Sequence, residues 1–394
     1  MTSKRQTIAL LLLTSLALGA APAEPVAAPE PALLEGVSLD AMRLDEGAFR
    51  QRLDDGRTIT FTVNPELQRF ADRQFAKYKV PVGSAVMLNS RTGRVHAFSE
   101  RREDPSMAGE ARVALDPSPP AASLFKIISA AALLEQGEVT PTTKTCYHGG
   151  SSKLHLHNLQ DSPRDDTACA SLSAALGRSI NAVFAKLSDR CLNRASLASY
   201  AARFGFNRDL PFDVPVPRST AEIPGDRLER ARTAAGFWHT HLSPLHAAVI
   251  AQSVAQDGAM LRPYIVDRVT DSGGEVIYES APEFLGRPVK KDTADQLLAA
   301  MKHTVARGTA RRAFHDSRGA PLLPGIDIAG KTGTLTGKKP YRAYSWFVAI
   351  APADDPELAM AVLVVNKPEW RIKSAAMAEL LLAEYFRLER AGEI

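Results

Sequence analysis

A chain of 394 residues, 45% apolar and 23% charged, has ordinary globular composition and enough length for two or three domains around a sizeable core. Its 48 basic and 44 acidic residues leave a formal charge of only +4. Lys and Arg are spread along the chain without a basic stripe interleaved with aromatics, which excludes a nucleic-acid partner.

In chain order, Lys4 and Arg5 precede an apolar run from Thr7 to Ala21 that passes into Ala-Pro-Ala-Glu-Pro. This is the layout of a secretory signal, with small residues for cleavage between Gly19 and Glu24. As a helix the run would reach about 22 Å, short of the roughly 30 Å hydrocarbon core of a bilayer. Residues 1–23 are therefore expected to be a signal peptide, with an N-terminal membrane anchor through residues 7–21 as the alternative. Both place the protein outside the cytoplasm, in the periplasm or at the outer face of the cytoplasmic membrane.

Residues 24–56, rich in Pro, Ala and acidic groups, read as a linker with a short helix near Leu44–Leu53. From Arg57 the pattern changes, and residues 57–394 are expected to form one folded unit. Residues 58–63 alternate as a strand, residues 65–78 carry helical spacing, and residues 84–88 and 95–99 are strands joined by a turn ending in Gly93. A buried helix is expected over 122–135, helical stretches over 172–205 and 227–256, strands over 326–334, 342–350 and 358–365, and a closing helix over 374–389. Two early strands, a helical middle and three late strands predict an α/β (α+β) fold. One antiparallel five-stranded sheet, built from both ends of the chain and flanked by helices, would carry an all-helical lobe over about 136–320. The cleft between sheet and lobe is where chemistry is expected.

Three short motifs carry that chemistry. Ser123-Leu-Phe-Lys126 opens the buried helix, so its hydroxyl and amine share one helical face. A lysine there is out of place unless it has a partner, and desolvation lowers an amine's pKa enough to make it a base for the neighbouring hydroxyl. Lys331-Thr-Gly-Thr334 ends a strand, offering a cation and a hydroxyl suited to a carboxylate, with a strand edge able to take an extended peptide. Ser179-Ile-Asn181 lies in a turn between helices, where such residues commonly cap. Among three cysteines, Cys146 and Cys169 flank a loop rich in Gly, Ser, His and Asp that a disulfide would staple; the alternative is three buried thiols.

Taken together, in the order SxxK, SxN, KTG, these motifs resemble the penicillin-binding protein transpeptidases and serine β-lactamases. The resemblance extends from about Thr58 to the C-terminus, through stretches such as Leu242-Ser-Pro-Leu245, Gly308-Thr-Ala310 and Tyr344-Ser-Trp-Phe347. It implies that Ser123 attacks a D-Ala-D-Ala bond or a β-lactam, with Lys126 accepting its proton. Ser179 and Asn181 would relay protons and hold the substrate amide. Lys331, Thr332, Gly333 and Thr334 would bind the substrate, and the backbone N–H groups of Ser123 and Thr334 would form the oxyanion hole. Peptidoglycan stem peptides are the implied partners, β-lactams the implied covalent inhibitors, and no metal or organic cofactor is needed. His155, His157, His239, His241 and His246 lack the Cys or carboxylate that would complete a zinc site.

The sequence departs from the family at Gly236-Phe-Trp-His-Thr-His241, where a Gly-Gln-Gly-like stretch is common. No glycosyltransferase domain fits before residue 57, so the resemblance is to a stand-alone transpeptidase unit. The expected activity is a peptidoglycan D,D-transpeptidase. D,D-carboxypeptidase or endopeptidase, class D-like β-lactamase, and a non-catalytic penicillin sensor or scaffold follow in that order.

Overall fold

The structure is a computed structural model that describes residues 31–107, 109, 111–338 and 340–394. The expected signal or anchor over 1–23 lies outside the described residues. Among those residues, no helix is long and apolar enough to cross a membrane.

Five strands form the central sheet: β1 (Val82–Asn89), β2 (Val95–Arg102), β3 (Ala329–Lys338), β4 (Tyr341–Ala351) and β5 (Leu358–Asn366). Their order is β3-β4-β5-β1-β2, antiparallel throughout, so β5 joins the late hairpin to the early one and pairs Val365 with Val82. The sheet is thus built from both ends of the chain, as the strand pattern predicts.

Period-two side-chain alternation divides the sheet's faces between two cores. Ala85, Met87, Met360 and Val362 pack with Leu67 and Phe75 of α1 (Pro65–Lys77) and with Leu381 and Tyr385 of a C-terminal helix, Ser374–Arg390. Val86, Leu88, Ala361 and Leu363 join a larger core with the helical lobe. Because β5 is covered on both faces, it reads as an unbroken apolar run rather than an alternating one. The lobe is organised around α2 (Lys126–Glu135), of which every residue up to Leu134 is buried. Helices α3 (Leu172–Gly177), α4 (Asn181–Cys191), α5 (Arg194–Arg203) and α6 (Lys291–Ala306) pack around it, and Ser374–Arg390 is hereafter α7.

Two expectations need correction. Residues 43–52, read as part of a linker with a short helix, instead form a hairpin of Arg43–Asp45 and Ala48–Arg52 that pairs with Thr58–Phe61. Glu46 and Gly47, both at positive φ, make its turn. Nor is the stretch 136–320 helical throughout. Val266–Thr270 and Val276–Glu279 complete a second five-stranded sheet with those N-terminal strands. Asp213 ties this sheet to the lobe: buried, it pairs with Arg262 and accepts the backbone N–H groups of Ile265 (2.6 Å) and Val266 (2.8 Å).

Candidate active site

The chain approaches Ser123 through Pro119–Ala121, which three hydrogen bonds hold in place. Ala121 N donates to Thr240 O (3.0 Å), Leu242 N to Pro119 O (2.9 Å), and Trp346 Nε1 to Pro120 O (2.9 Å). Ala122 then adopts φ +50°, a left-handed conformation uncommon for alanine, and turns the chain into a 3-10 segment, Ala122–Phe125, that runs on as α2. The helix expected over 122–135 therefore starts tighter than α, with Ser123 in its first turn and Lys126 at the start of the α-helix proper.

Lys126 is fully buried, and its Nζ lies 2.9 Å from Ser123 Oγ, 2.7 Å from Asn181 Oδ1 and 2.5 Å from Ala235 O. No carboxylate stands among these partners. Burial pushes the Lys126 ammonium well below its ordinary value, and the nearby Lys331 cation lowers it further. Lys331, also fully buried, has its Nζ 3.0 Å from Ser179 Oγ and 2.8 Å from Thr332 O, and burial lowers it to about 7.

The turn between α3 and α4 supplies the third motif. Ser179 is at φ +55°, and Asn181 is the first residue of α4. The pair does not cap the helix: Ile180 occupies the N-cap position without a side-chain bond. Asn181 instead bridges Lys126 and, through Nδ2, Ser151 O at 2.7 Å. Edge strand β3 passes in front of the nucleophile turn. A Cβ on Gly333 would lie 3.1 Å from Trp346 Cβ and 3.4 Å from Ala122 Cβ, so the bare glycine lets strand and turn approach closely. Ser123, Ser179, Asn181, Thr332 and Thr334 all open into one cleft of about 570 Å³, with Lys126 and Lys331 buried beneath. All three motifs therefore converge.

Sequence reasoning missed several contributors. Thr309 Oγ1 lies 2.5 Å from Thr332 Oγ1, and Tyr147 and Ser151 form the far wall. Thr309 sits in Gly308-Thr-Ala310, one of the resembling stretches, and that signal could have found it. The stretch from Gly236 to His241 departs in sequence, yet its first residue and the two alanines before it buttress the site. Ala234 O and Ala235 O accept bonds from Ser129 and Lys126, and Gly236 at φ +79° packs on the Ala122–Ser123 backbone.

The Cys146–Cys169 disulfide joins directly opposed residues of a hairpin, Lys144–Tyr147 with Ala168–Ser171, and Cys191 is a free thiol. The histidines have separate partners. His157 stacks on both His148 and His155, His239 faces Glu229, His241 faces Ser118 O, and buried His246 faces Phe204 O. Among the described residues no group of three or more His, Cys, Asp or Glu could hold a metal ion.

The model of the penicillin-binding protein transpeptidase domain matches residues 83–382, most of the chain and every residue of the cleft. The chain belongs to that family. It is 27% identical to the peptidoglycan D,D-transpeptidase PbpA of Mycolicibacterium smegmatis, across 81% of this chain and 71% of that protein. With the stage V sporulation protein D of Bacillus subtilis it shares 26% identity, over 79% of this chain but only 50% of that protein. Among solved structures, the imipenem acyl-enzyme of penicillin-binding protein A from M. tuberculosis superposes with a TM-score of 0.68 at 26% identity, covering 83% of this chain and 79% of that one. The D,D-transpeptidase domain of a peptidoglycan glycosyltransferase from Eggerthella lenta gives 0.71 at 25% identity, covering 85% and 84%.

Proposed function

We propose that this transpeptidase-family protein is a peptidoglycan D,D-transpeptidase that works through an acyl-enzyme on Ser123. The observation that carries the assignment is the Lys126 amine, buried without a carboxylate and 2.9 Å from Ser123 Oγ. A neutral amine there is a base in hydrogen-bond reach of the proton it must take.

Ser123 Oγ attacks the carbonyl carbon of the penultimate D-Ala while its proton passes to Lys126 Nζ. The N–H groups of Ser123 and Thr334 hold the oxyanion, a contribution of about 3 kcal/mol in comparable sites. Collapse breaks the C–N bond and expels D-alanine, whose nitrogen takes a proton from the Lys126 and Ser179 side. Lys331, Thr332 and Thr334 hold the terminal carboxylate, and Asn181 holds the donor's amide. An amine of a second stem peptide then attacks the ester and releases Ser123. A β-lactam follows the first half of this path and stays attached. Residues 1–23, as a signal peptide, would deliver the enzyme outside the cytoplasm, where such substrates lie; retained as an anchor, residues 7–21 would hold it at the outer face of the cytoplasmic membrane.

The lining argues against rapid hydrolysis of the acyl group. No carboxylate borders the cleft among the described residues, and Glu229 is engaged with Arg232 and His239. An intact-mass time course with penicillin tests the reading. A persistent adduct that Ser123→Ala abolishes is expected, while no adduct, or one that decays within seconds as penicillin disappears, overturns it.

A further inference from the structure

Two cations at the rim of the cleft have no part in the acyl-transfer chemistry. Arg178, in the turn just before Ser179, belongs to the helical wall. Lys373 belongs to the sheet wall: it immediately precedes α7, where the N–H of Ser374 donates to Ser345 Oγ (3.1 Å) and the two hydroxyls lie 2.9 Å apart. Both residues border the same cleft as Ser123, and both are exposed.

Elsewhere on the surface, cations are commonly paired. Arg57 meets Asp55, Arg91 meets Asp355, Arg218 meets Asp209, Arg227 meets Asp189 and Lys291 meets Asp257. Neither Arg178 nor Lys373 has a carboxylate partner among the described residues. Lys373 Nζ instead lies over the ring of Trp370, 5.7 Å from its centroid, a contact that orients an ammonium without neutralising it. The cleft lining, free of Asp and Glu, adds these two charges to buried Lys331. One terminal carboxylate satisfies Lys331 and its neighbouring hydroxyls, and two positive charges remain facing the bound peptide. In a cleft with low-dielectric walls, charges of one sign attract a ligand of the opposite sign.

We propose that Arg178 and Lys373 are specificity residues that select donor stem peptides bearing a free carboxylate on a side chain upstream of the scissile bond, in addition to the terminal one. This rests on the donor-peptide reading given under Proposed function. Peptides in which that side chain carries a carboxamide are the discriminated class, being isosteric but uncharged.

The test uses two synthetic stem pentapeptides ending in D-Ala-D-Ala. They are identical except that the third residue's side chain ends in a carboxylate in one and a carboxamide in the other. Calorimetry in a Ser123→Ala background, which binds the peptides without consuming them, gives the dissociation constants with both cations intact (wild type at the rim), and for Arg178→Gln, Lys373→Gln, the double variant, and the charge-keeping Arg178→Lys and Lys373→Arg. Wild type is expected to bind the carboxylate peptide about tenfold more tightly at low salt, with about threefold from each cation. The preference should disappear in the double variant, persist in the charge-keeping pair, and shrink in 0.5 M NaCl through screening. Equal affinities of wild type for the two peptides, or a preference that survives in the double variant, overturn the proposal. So does binding of neither peptide. Fluorescent-penicillin labelling of Ser123, run in parallel, reads the acyl-enzyme assignment separately: its absence would undo that assignment, while the peptide affinities would still report on the two cations.

Discussion

Gly236→Ala should damage the nucleophile from outside the motif that carries it. A Cβ at that position would stand 2.5 Å from Ala122 O and 2.7 Å from Ser123 Cα, where Cβ contacts below 3.0 Å are essentially unknown. The shortfall is therefore about 0.5 Å at the carbonyl oxygen and about 0.3 Å at Cα, both against backbone, which cannot rotate away. The φ of +79° adds a conformational penalty of about 1 kcal/mol for any residue with a Cβ. Overpacking adds about 1–3 kcal/mol, for a total loss of about 2–4 kcal/mol. In a chain of this size that lowers the melting temperature by about 3–5 °C. Relief of the clash has to move Ser123 or the Ala235 carbonyl that holds Lys126, and misplacement on the order of 1 Å at a reacting centre costs about a hundredfold in rate. The second-order rate of penicillin acylation, followed by stopped-flow fluorescence beside a thermal melt, reads both quantities. An alanine variant that acylates at the wild-type rate with an unchanged melt would show that this stretch does not buttress the nucleophile.

The pH dependence of acylation should be bell-shaped. Lys126 must be neutral to accept the proton, so the rate rises as pH climbs through its depressed pKa. Lys331 loses its charge above about 7 in the free enzyme, so carboxylate affinity then falls; a kcat/KM that keeps rising past pH 9 would refute the assignment of Lys331. The same depression has a stability consequence of definite sign. Between about 7 and its ordinary 10.5, Lys331 carries a proton in the unfolded chain but not in the fold, so its penalty is greatest below pH 7 and fades as pH rises. Urea unfolding of Lys331→Met against wild type at pH 6 and pH 9.5 should show the variant's relative stability declining with pH. Asp213→Ala leaves buried Arg262 and two backbone N–H groups without their acceptor and should cost about 3–5 kcal/mol in the same assay. Reducing Cys146–Cys169 releases a 23-residue span whose constraint on the unfolded chain is worth about 3 kcal/mol. Since Tyr147 and Ser151 lie just beyond it on the cleft wall, dithiothreitol should lower both the melting temperature and the acylation rate.

Much of this site could be read from the chain because each motif sits where local rules apply. Ser123 and Lys126 share a face of one helix, Lys331 to Thr334 lie along one strand, and β-branched runs mark the sheet. The conformations of Ala122 and Ser179 could not be read in this way, since neither residue is a glycine and tertiary contacts impose their positive φ. Nor could the 43–52 hairpin, whose strands are largely polar and whose sheet is completed by Val266–Thr270, some two hundred residues downstream. Thr309 and Ser151 join the cleft through contacts with Thr332 and Asn181 that no local pattern announces. Arg178 and Lys373, far apart in sequence, become a pair only when the lobe and sheet close on one another.

The order of strands in the central sheet also fixes when the enzyme can exist. As the polypeptide is made, β1, β2 and the Ser123 helix emerge long before β5, the strand that pairs with β1. Until then β1 presents an open edge with apolar side chains on both sides, and pairings this remote in sequence form slowly. A nascent chain interrupted before residue 366 carries its nucleophile and its lysine but lacks a complete sheet to hold the turn between them. Catalytic competence therefore arrives late and all at once, and the unfinished chain is a substrate for chaperones and proteases rather than a partially working enzyme.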